Sequence, residues 1–225
     1  MTRVKPKASR KASHRRSVRK FKALSNETKL NGREGLLRAA RHLFALRGLS
    51  GTSIREIAKA AKTNSSQISY YFKSKEGLYR ACLVDIAQNR LEMAEQILLL
   101  PRSHEEYIVR LRLFAENLIN YFSENRDTGL IIIREYDRLH SPAEDVFRGY
   151  FSNLFELLIA FFRTAQKNKL TRLAKGDPLT ISSLFFSMLT NELRIDHLRE
   201  SLYKQTLRDP KYRLALIDQI IEMLR

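Results

Sequence analysis

Residues 52–75 read TSIREIAKAAKTNSSQISYYFKSK and contain two short helical patterns separated by a break. Ser53, followed three residues later by Glu56, forms a capping box that predicts the start of one helix. Asn64 lies in the break and predicts the N-cap of a second helix over Ser65–Tyr71. Two short helices joined by a tight turn are typical of a helix-turn-helix, although the pattern also occurs in all-α proteins of other functions.

One more helix is predicted on each side of this pair. Downstream, Ser74 is placed to cap a long helix whose apolar periodicity continues until Pro101 ends it. Upstream, Asn31 and Glu34 resemble a capping box, and Gly48 is the predicted stop. Between them, five apolar residues share one helical face: Leu36, Leu37, Ala40, Leu43 and Phe44.

The rest of the chain has long helical patterns and little strand signal. The predicted helices cover approximately residues 104–125, 128–139, 143–168, 179–205 and 211–224, with proline-containing breaks at several of the junctions. The predicted fold is therefore all-α, with an N-terminal three-helix helix-turn-helix domain and a C-terminal helical domain. We expect three parts: a disordered basic arm (1–25), the helix-turn-helix domain (26–80) and a helical regulatory and dimerisation domain (81–225).

The positive charge is confined to the N-terminal third of the chain. The net charge is +17; residues 1–80 hold 21 Lys/Arg and 4 Asp/Glu, and residues 81–225 hold 20 of each. This asymmetry predicts one part that meets a polyanion and another part with a different role.

The first 22 residues contain ten Lys/Arg and no acidic residue. We interpret them as a disordered arm, which is either a solvated tail or a segment that reaches DNA phosphates or the minor groove. An organellar transit peptide has a similar composition, but this segment lacks an apolar face.

Composition excludes several classes of protein. The single cysteine, Cys82, rules out an intramolecular disulfide framework or a multi-cysteine zinc site, and the five histidines have no metal-ligand spacing. No apolar stretch reaches the ~18 residues that a membrane span needs. We found no phosphate loop, nucleophile elbow or paired carboxylates. We therefore predict a cytoplasmic protein without metal or cofactor, in which Cys82 is a small core residue or, alternatively, a redox sensor.

Residues 33–80 resemble the N-terminal domain of the tetracycline-repressor (TetR) family of bacterial regulators. Three linked stretches carry the resemblance: RAARHLF at 38–44, TSIREIAKAA at 52–61 and ISYYFKSKEGL at 68–78. The chain departs from the family in its turn, where Lys62-Thr63-Asn64 replaces the usual Gly-Val-Ser, and at Ser69, where the family usually has tyrosine. Without the glycine, Lys62 has to adopt the turn conformation with a side chain.

A recognition helix needs polar side chains towards the groove and apolar ones towards its own core. Ile68 and Phe72 fit the inward positions. Gln67 can pair with adenine N6 and N7, which is worth ~1–3 kcal/mol of discrimination between bases. The side chains predicted to face the groove are Ser65, Ser66, Gln67 and Ser69.

The resemblance implies further DNA contacts. Arg55 matches a position that can reach a base edge, although a solvated surface charge is the alternative. The family grips phosphates at positions that correspond to Ser53, Tyr70, Tyr71, Lys73 and Lys75, and partial burial is the alternative for the two tyrosines. A dimer would present two recognition helices ~34–36 Å apart, so the predicted double-stranded DNA operator is palindromic.

The C-terminal part is predicted to make the dimer and to hold a ligand. The 143–168 segment is apolar on almost every side, which indicates burial in its domain or against a partner chain. The resemblance implies a homodimer through helices near 143–168 and 179–205, and a cavity for an unknown small-molecule effector. Candidate ligand-binding residues are polar groups on apolar segments: Asn117, Tyr121, Arg134, Tyr136 and Asn153. Arg134 either binds an acidic ligand or pairs with Glu135, Asp137 or a carboxylate of a neighbouring helix.

These observations predict a ligand-responsive transcriptional repressor that releases its operator when an inducer binds. One alternative is an architectural DNA-binding protein on the same fold, with weak sequence preference and steep salt dependence. The other is an enzyme that uses the C-terminal cavity, for which the sequence offers no catalytic constellation.

Overall fold

The computed structural model describes residues 32–136, 140–173 and 175–225, without the side chain of Tyr136. Over these residues the chain forms nine α-helices and no β-strand, which confirms the all-α prediction. The predicted basic arm and the predicted cap at Asn31 lie outside the described residues.

The helices are numbered in chain order. The first, α1, covers residues 32–47. The others are α2 (Ile54–Ala60), α3 (Ser66–Phe72), α4 (Lys75–Ile97), α5 (His104–Glu124), α6 (Arg126–Tyr136), α7 (Glu144–Lys167), α8 (Pro178–Tyr203) and α9 (Pro210–Leu224).

Most helix ends agree with the sequence patterns. The five long helices from α5 to α9 begin and end within two residues of prediction, except for the end predicted at residue 139, which lies outside the described residues. The prediction that α4 continues to Pro101 is wrong, because the helix ends at Ile97. Leu98 leaves helical geometry with φ −82° and ψ 37°, and its buried side chain packs into the C-terminal core.

Two hydrophobic cores share α4. The N-terminal core joins α1, α2 and α3 to the first half of α4, through residues such as Phe44, Ile57, Ile68 and Leu78. The C-terminal core joins α5, α7, α8 and α9 to the end of α4. The proposed domain boundary near residue 80 therefore falls inside a continuous helix that contributes to both cores.

The N-terminal core also contains residues from the C-terminal part of the chain. Ile131 of α6 and Ala143, just before α7, are buried in it beside Phe44 and Leu83. The middle helices of the chain are thus packed directly against the helix-turn-helix domain.

Helix α7 is the central helix of the C-terminal core. It packs mainly against α4 and α8, and Leu154, Leu158, Phe161 and Phe162 are fully or almost fully buried. This confirms the burial predicted from its apolar sequence. Within the part of the chain that the structure describes, no helix is long and apolar enough to cross a membrane.

Candidate nucleic-acid interface

Helix α2 begins with the predicted capping box. The Ser53 hydroxyl accepts a hydrogen bond from the Glu56 backbone N–H (3.2 Å), and the Glu56 carboxylate accepts one from the Ser53 N–H (2.9 Å). Hydrogen bonds from Ser53 make the largest contribution to lowering the pKa of the Glu56 carboxyl below its usual value, and the hydrogen bond from Arg47 makes the next largest. This fixes the N-terminus of α2 at the surface, where both Ser53 and Arg55 are exposed.

The turn between α2 and α3 places a lysine in left-handed geometry. Lys62 has φ 53°, as expected from the absence of the family's glycine. The predicted cap at Asn64 is displaced by one residue: α3 starts at Ser66, and its N-cap position is Ser65, which makes no side-chain capping bond. The Asn64 side chain nevertheless accepts from the Ser66 N–H (3.1 Å), so it still satisfies a free backbone donor at this end.

Helix α3 separates an apolar side from a polar side. Ile68 and Phe72 are buried in the N-terminal core, as predicted. On the other side, Ser66 and Ser69 are exposed, and Ser65 and Gln67 are partly exposed. A short helix held by its apolar side with free hydroxyl and amide groups opposite has the form needed to read base edges in a groove.

The two adjacent tyrosines differ in availability. Tyr70 is 60% exposed, whereas Tyr71 is half-buried and packs against the N-terminal core. Their rings meet edge to face, with centroids 4.9 Å apart. Tyr70 is therefore free at the surface, and Tyr71 combines packing with partial exposure.

The two lysines after α3 differ in their exposure and in their contacts. Lys73 is exposed and has φ 70°. Lys75, at the start of α4, donates from Nζ to the backbone carbonyl of Thr52 at 3.0 Å. A role in joining α4 to the start of α2 was not predicted for Lys75, and its ammonium has two further donors.

The junction of α3 and α4 requires glycine at position 77. A Cβ atom at Gly77 would lie 2.0 Å from the carbonyl oxygen of Phe72, part of the backbone at the end of α3. Ser74 caps α4 as predicted, accepting from the Gly77 N–H at 3.0 Å. These contacts fix the end of α3 against α4.

The C-terminal end of α1 is bound by a residue from far along the chain. Arg134 of α6 donates to the carbonyl oxygens of Phe44 (2.8 Å) and Leu46 (3.3 Å). The last carbonyls of a helix lack intrahelical donors and form its negative end, so a guanidinium is well suited to this place. The expectation that Arg134 pairs with Glu135 is wrong, because Arg134 donates to the two carbonyls and the Glu135 carboxylate accepts from the Tyr79 hydroxyl. Asp137 lies outside the described residues.

Other polar contacts join the helix-turn-helix domain to the helices beyond it. The Tyr79 hydroxyl donates to the buried carboxylate of Glu135 at 2.5 Å. His42 of α1 contacts Asp127 of α6 at 2.9 Å, and Arg80 of α4 pairs with Asp145 of α7. Sequence reasoning missed these contacts, since no local pattern indicates pairs 56 to 85 residues apart.

The predicted ligand-binding residues do not form one group. Asn117 and Tyr121 both contact Arg90, which donates to the Asn117 side chain (3.1 Å) and lies 3.6 Å from the Tyr121 ring centroid. Arg134 is at the end of α1, and Asn153 is exposed on α7. The side chain of Tyr136 lies outside the part of the chain that the structure describes. Asn153 is therefore not gathered with the other candidates in the single chain, and its ligand-binding role stays a prediction.

Cys82 is fully buried in the N-terminal core, and burial raises its pKa to about 12. The prediction of a small core residue is confirmed. Across the described ranges, no three His, Cys, Asp or Glu side chains come together as metal ligands.

The helix-turn-helix region is similar to a known family. Residues 36–82 match the profile of "Bacterial regulatory proteins, tetR family". The chain is 27% identical over 136 residues to the "Probable HTH-type transcriptional regulator YttP" of Bacillus subtilis, covering 58% of this chain and 64% of that protein. It is 37% identical over 71 residues to the "HTH-type transcriptional repressor NicS" of Pseudomonas putida, covering 28% and 34%. The chain thus spans less than two thirds of the length of these curated relatives.

Solved structures share the whole architecture. The regulator FadR from Bacillus subtilis, solved in complex with stearoyl-CoA, has a TM-score of 0.69 at 14% identity over 84% of this chain and 96% of that one. The hemolysin II transcriptional regulator HlyIIR has a TM-score of 0.62 at 24% identity over 87% and 98%.

The fold and the exposed α3 define a helix-turn-helix protein with an attached helical domain. More particularly, residues 36–82 of the chain are similar to the tetR family of bacterial regulatory proteins.

Proposed function

We propose that this chain is a sequence-specific DNA-binding transcriptional repressor of the bacterial cytoplasm. The observation that carries the proposal is α3, whose Ile68 and Phe72 are buried while Ser66, Ser69 and Tyr70 face outwards. Gln67 and Arg55 would contact base edges; Ser65, Ser66 and Ser69 would line the groove. Ser53, Tyr70, Tyr71 and Lys73 would contact phosphates, and Lys75 would do so with the donors that Thr52 leaves unused. The name of the relative NicS supports the repressor role.

We propose that the protein acts as a homodimer on a palindromic operator. Helix α8 carries Leu184, Leu198 and Leu202, each more than half exposed. Their spacing of 14 and 4 residues puts them on one face of the helix, together with Asn191. An exposed apolar row of this kind favours pairing with the same row of a second copy. The predicted role of α7 in the dimer interface has weaker support. Its residues nearest to α8, such as Phe151 and Phe155, are half-buried in the single chain.

We also propose that a small molecule bound by the C-terminal helices controls DNA binding. The stearoyl-CoA complex of the structural neighbour FadR supports a ligand-responsive reading of this architecture. An effector releases DNA only to the extent that it prefers the conformation with low DNA affinity. The proposed role is regulation, not catalysis.

The test is a titration of the full chain against the duplex upstream of its own gene and against a scrambled duplex. Each duplex is measured at two salt concentrations, with the full chain and with a variant that lacks residues 1–24. We expect tight binding to the upstream duplex that persists at higher salt. Equal binding to both duplexes, lost with salt and with the arm, would instead support the architectural function. A genome-wide footprint then identifies the operator if it lies elsewhere.

A further inference from the structure

A cavity of about 280 Å³ lies between the end of α5, α6, α8 and the connection from α8 to α9. It is separate from the exposed face of α3. At ~30 Å³ per water molecule, it has room for roughly nine to ten non-hydrogen groups. Its apolar lining comes from Phe122, Leu130, Ile133, Leu193 and Leu207.

The polar lining of this cavity is strongly basic. Among the described residues that line it, the one acidic residue is Asp196, whose carboxylate accepts from the Leu207 N–H (2.7 Å) and the Thr206 hydroxyl (3.2 Å). This carboxylate is therefore occupied in holding the middle of the α8–α9 connection. The lining arginines are Arg126, Arg134, Arg194 and Arg208.

We propose that this cavity binds an amphipathic anion: a ligand with a short apolar body and one carboxylate or phosphate group. The apolar lining accepts the body, and the arginine rim accepts the anion through charge-assisted, two-point hydrogen bonds. Arg208 is available for this, because its contact with the Glu200 carboxylate is long, at 3.9 Å, and both side chains are about half exposed.

Arg134 connects the cavity to the DNA-binding domain. Arg134 is one of the residues that line the cavity, and its guanidinium donates to the Phe44 and Leu46 carbonyls at the end of α1. An anion is a stronger acceptor for a guanidinium than a neutral carbonyl. A bound anion therefore draws Arg134 away from α1 and loosens the attachment of the helix-turn-helix domain to α6. This last step rests on the proposed DNA-binding function, whereas the binding step does not.

The binding step is tested by calorimetric titration of the full chain with four probes that share an eight-carbon chain. We expect octanoate and octyl phosphate to bind with one site per chain, and 1-octanol and octylamine to bind at least about tenfold more weakly. Arg126→Gln and Arg208→Gln should each weaken the binding of both anions by about tenfold. Arg172→Gln, an exposed arginine outside the cavity, is the matched control and should bind the anions normally. No anion binding, or equal binding of all four probes, overturns the proposal.

The coupling step is tested with Arg134→Lys. Lysine keeps the positive charge but cannot bridge two carbonyls with a rigid fork. In the unmodified chain, octanoate should lower the affinity for the operator, and the operator should lower the affinity for octanoate by the same factor. In Arg134→Lys, octanoate should bind more weakly, and even at saturating octanoate the DNA affinity should no longer change. Anion binding without any effect on DNA in the unmodified chain overturns the coupling, whereas a chain that binds no specific DNA contradicts only the proposed function.

Discussion

Cys82 illustrates how environment decides the chemistry of one residue. Its thiol is surrounded by Leu37, Leu78 and other side chains of the N-terminal core, and its Sγ lies 3.8 Å from the Leu37 carbonyl. Burial raises its pKa from 9.0 to about 12. Since the thiolate is the reactive form, the folded protein should hold this cysteine inert.

Iodoacetamide at pH 8 should leave Cys82 unlabelled in the native protein and label it completely in denaturant, as measured by intact mass. The same shift predicts a pH effect on stability. Above about pH 9 the unfolded thiol ionises while the folded one stays neutral, so this contribution to stability is lost between pH 9 and about 12. Rapid native labelling at pH 8 would mean that the core opens readily around α4.

Lys62 affects the stability of the protein through its backbone conformation. Its φ of 53° is costly for an L-residue, by about 1 kcal/mol or more. Lys62→Gly should therefore be more stable than Lys62→Ala by about 1 kcal/mol in chemical denaturation. Both variants lose the same charge, so their difference isolates the backbone strain. Equal stability of the two variants would contradict the left-handed turn.

At the scale of elements, α3 shows why a short helix can present a fixed polar side only when its other side is held in place. Seven residues are too few to be helical in isolation. Burial of Ile68 and Phe72, and the close contact of the Phe72 carbonyl with Gly77, supply the missing stability and fix the orientation. The polar side is thereby left free to make contacts.

Gln67→Ala should lower the preference for one base at one operator position by ~1–3 kcal/mol. Affinity for a scrambled duplex should remain the same, because phosphate contacts are retained. Gln96→Ala, an exposed glutamine of α4, is the control. The measurement is competition binding with single-base operator variants. A uniform loss of affinity across all duplexes would assign Gln67 to the phosphate backbone or to folding.

At the scale of the molecule, the helix-turn-helix domain and the C-terminal helices are joined in two ways. Helix α4 contributes to both hydrophobic cores, and residues of the C-terminal part pack into the N-terminal core. Ile131 and Ala143 lie in the N-terminal core, and Arg134 binds the end of α1. A change in α6 can therefore reach α1 directly. The row of exposed leucines on α8 is the surface that we propose for a second copy of the chain.

Leu198→Glu should convert the dimer into a monomer, because it places a charge in the middle of the apolar row on α8. Operator affinity should fall strongly, since two linked half-sites are replaced by one. Helical content should remain the same, as this leucine is exposed in the single chain. Light scattering gives the mass, and Leu99→Glu, a similarly exposed residue outside α8, is the control. A dimer that survives Leu198→Glu would place the interface elsewhere.

Local signals in the sequence were sufficient for the helices and for the inward side of the recognition helix. The Ser53–Glu56 capping box, the Ser74 cap and the alternation of Ile68 and Phe72 with polar residues act over a few residues, so each is readable from the chain alone. The left-handed backbone at Lys62 was also predictable, because the family that this segment resembles usually has a glycine at this turn position.

Contacts between distant residues depended on the packing of the helices. The guanidinium of Arg134 could bind a ligand, a carboxylate or backbone carbonyls equally well. It donates to the Phe44 and Leu46 carbonyls because α6 packs beside the end of α1. The packing of the helices also decides three other features. These are the hydrogen bond from Lys75 to the Thr52 carbonyl, the position of four arginines around one cavity and the exposure of Asn153. Side-chain chemistry is fixed by residue type, but the partner that satisfies it is fixed by which helices the hydrophobic cores bring together.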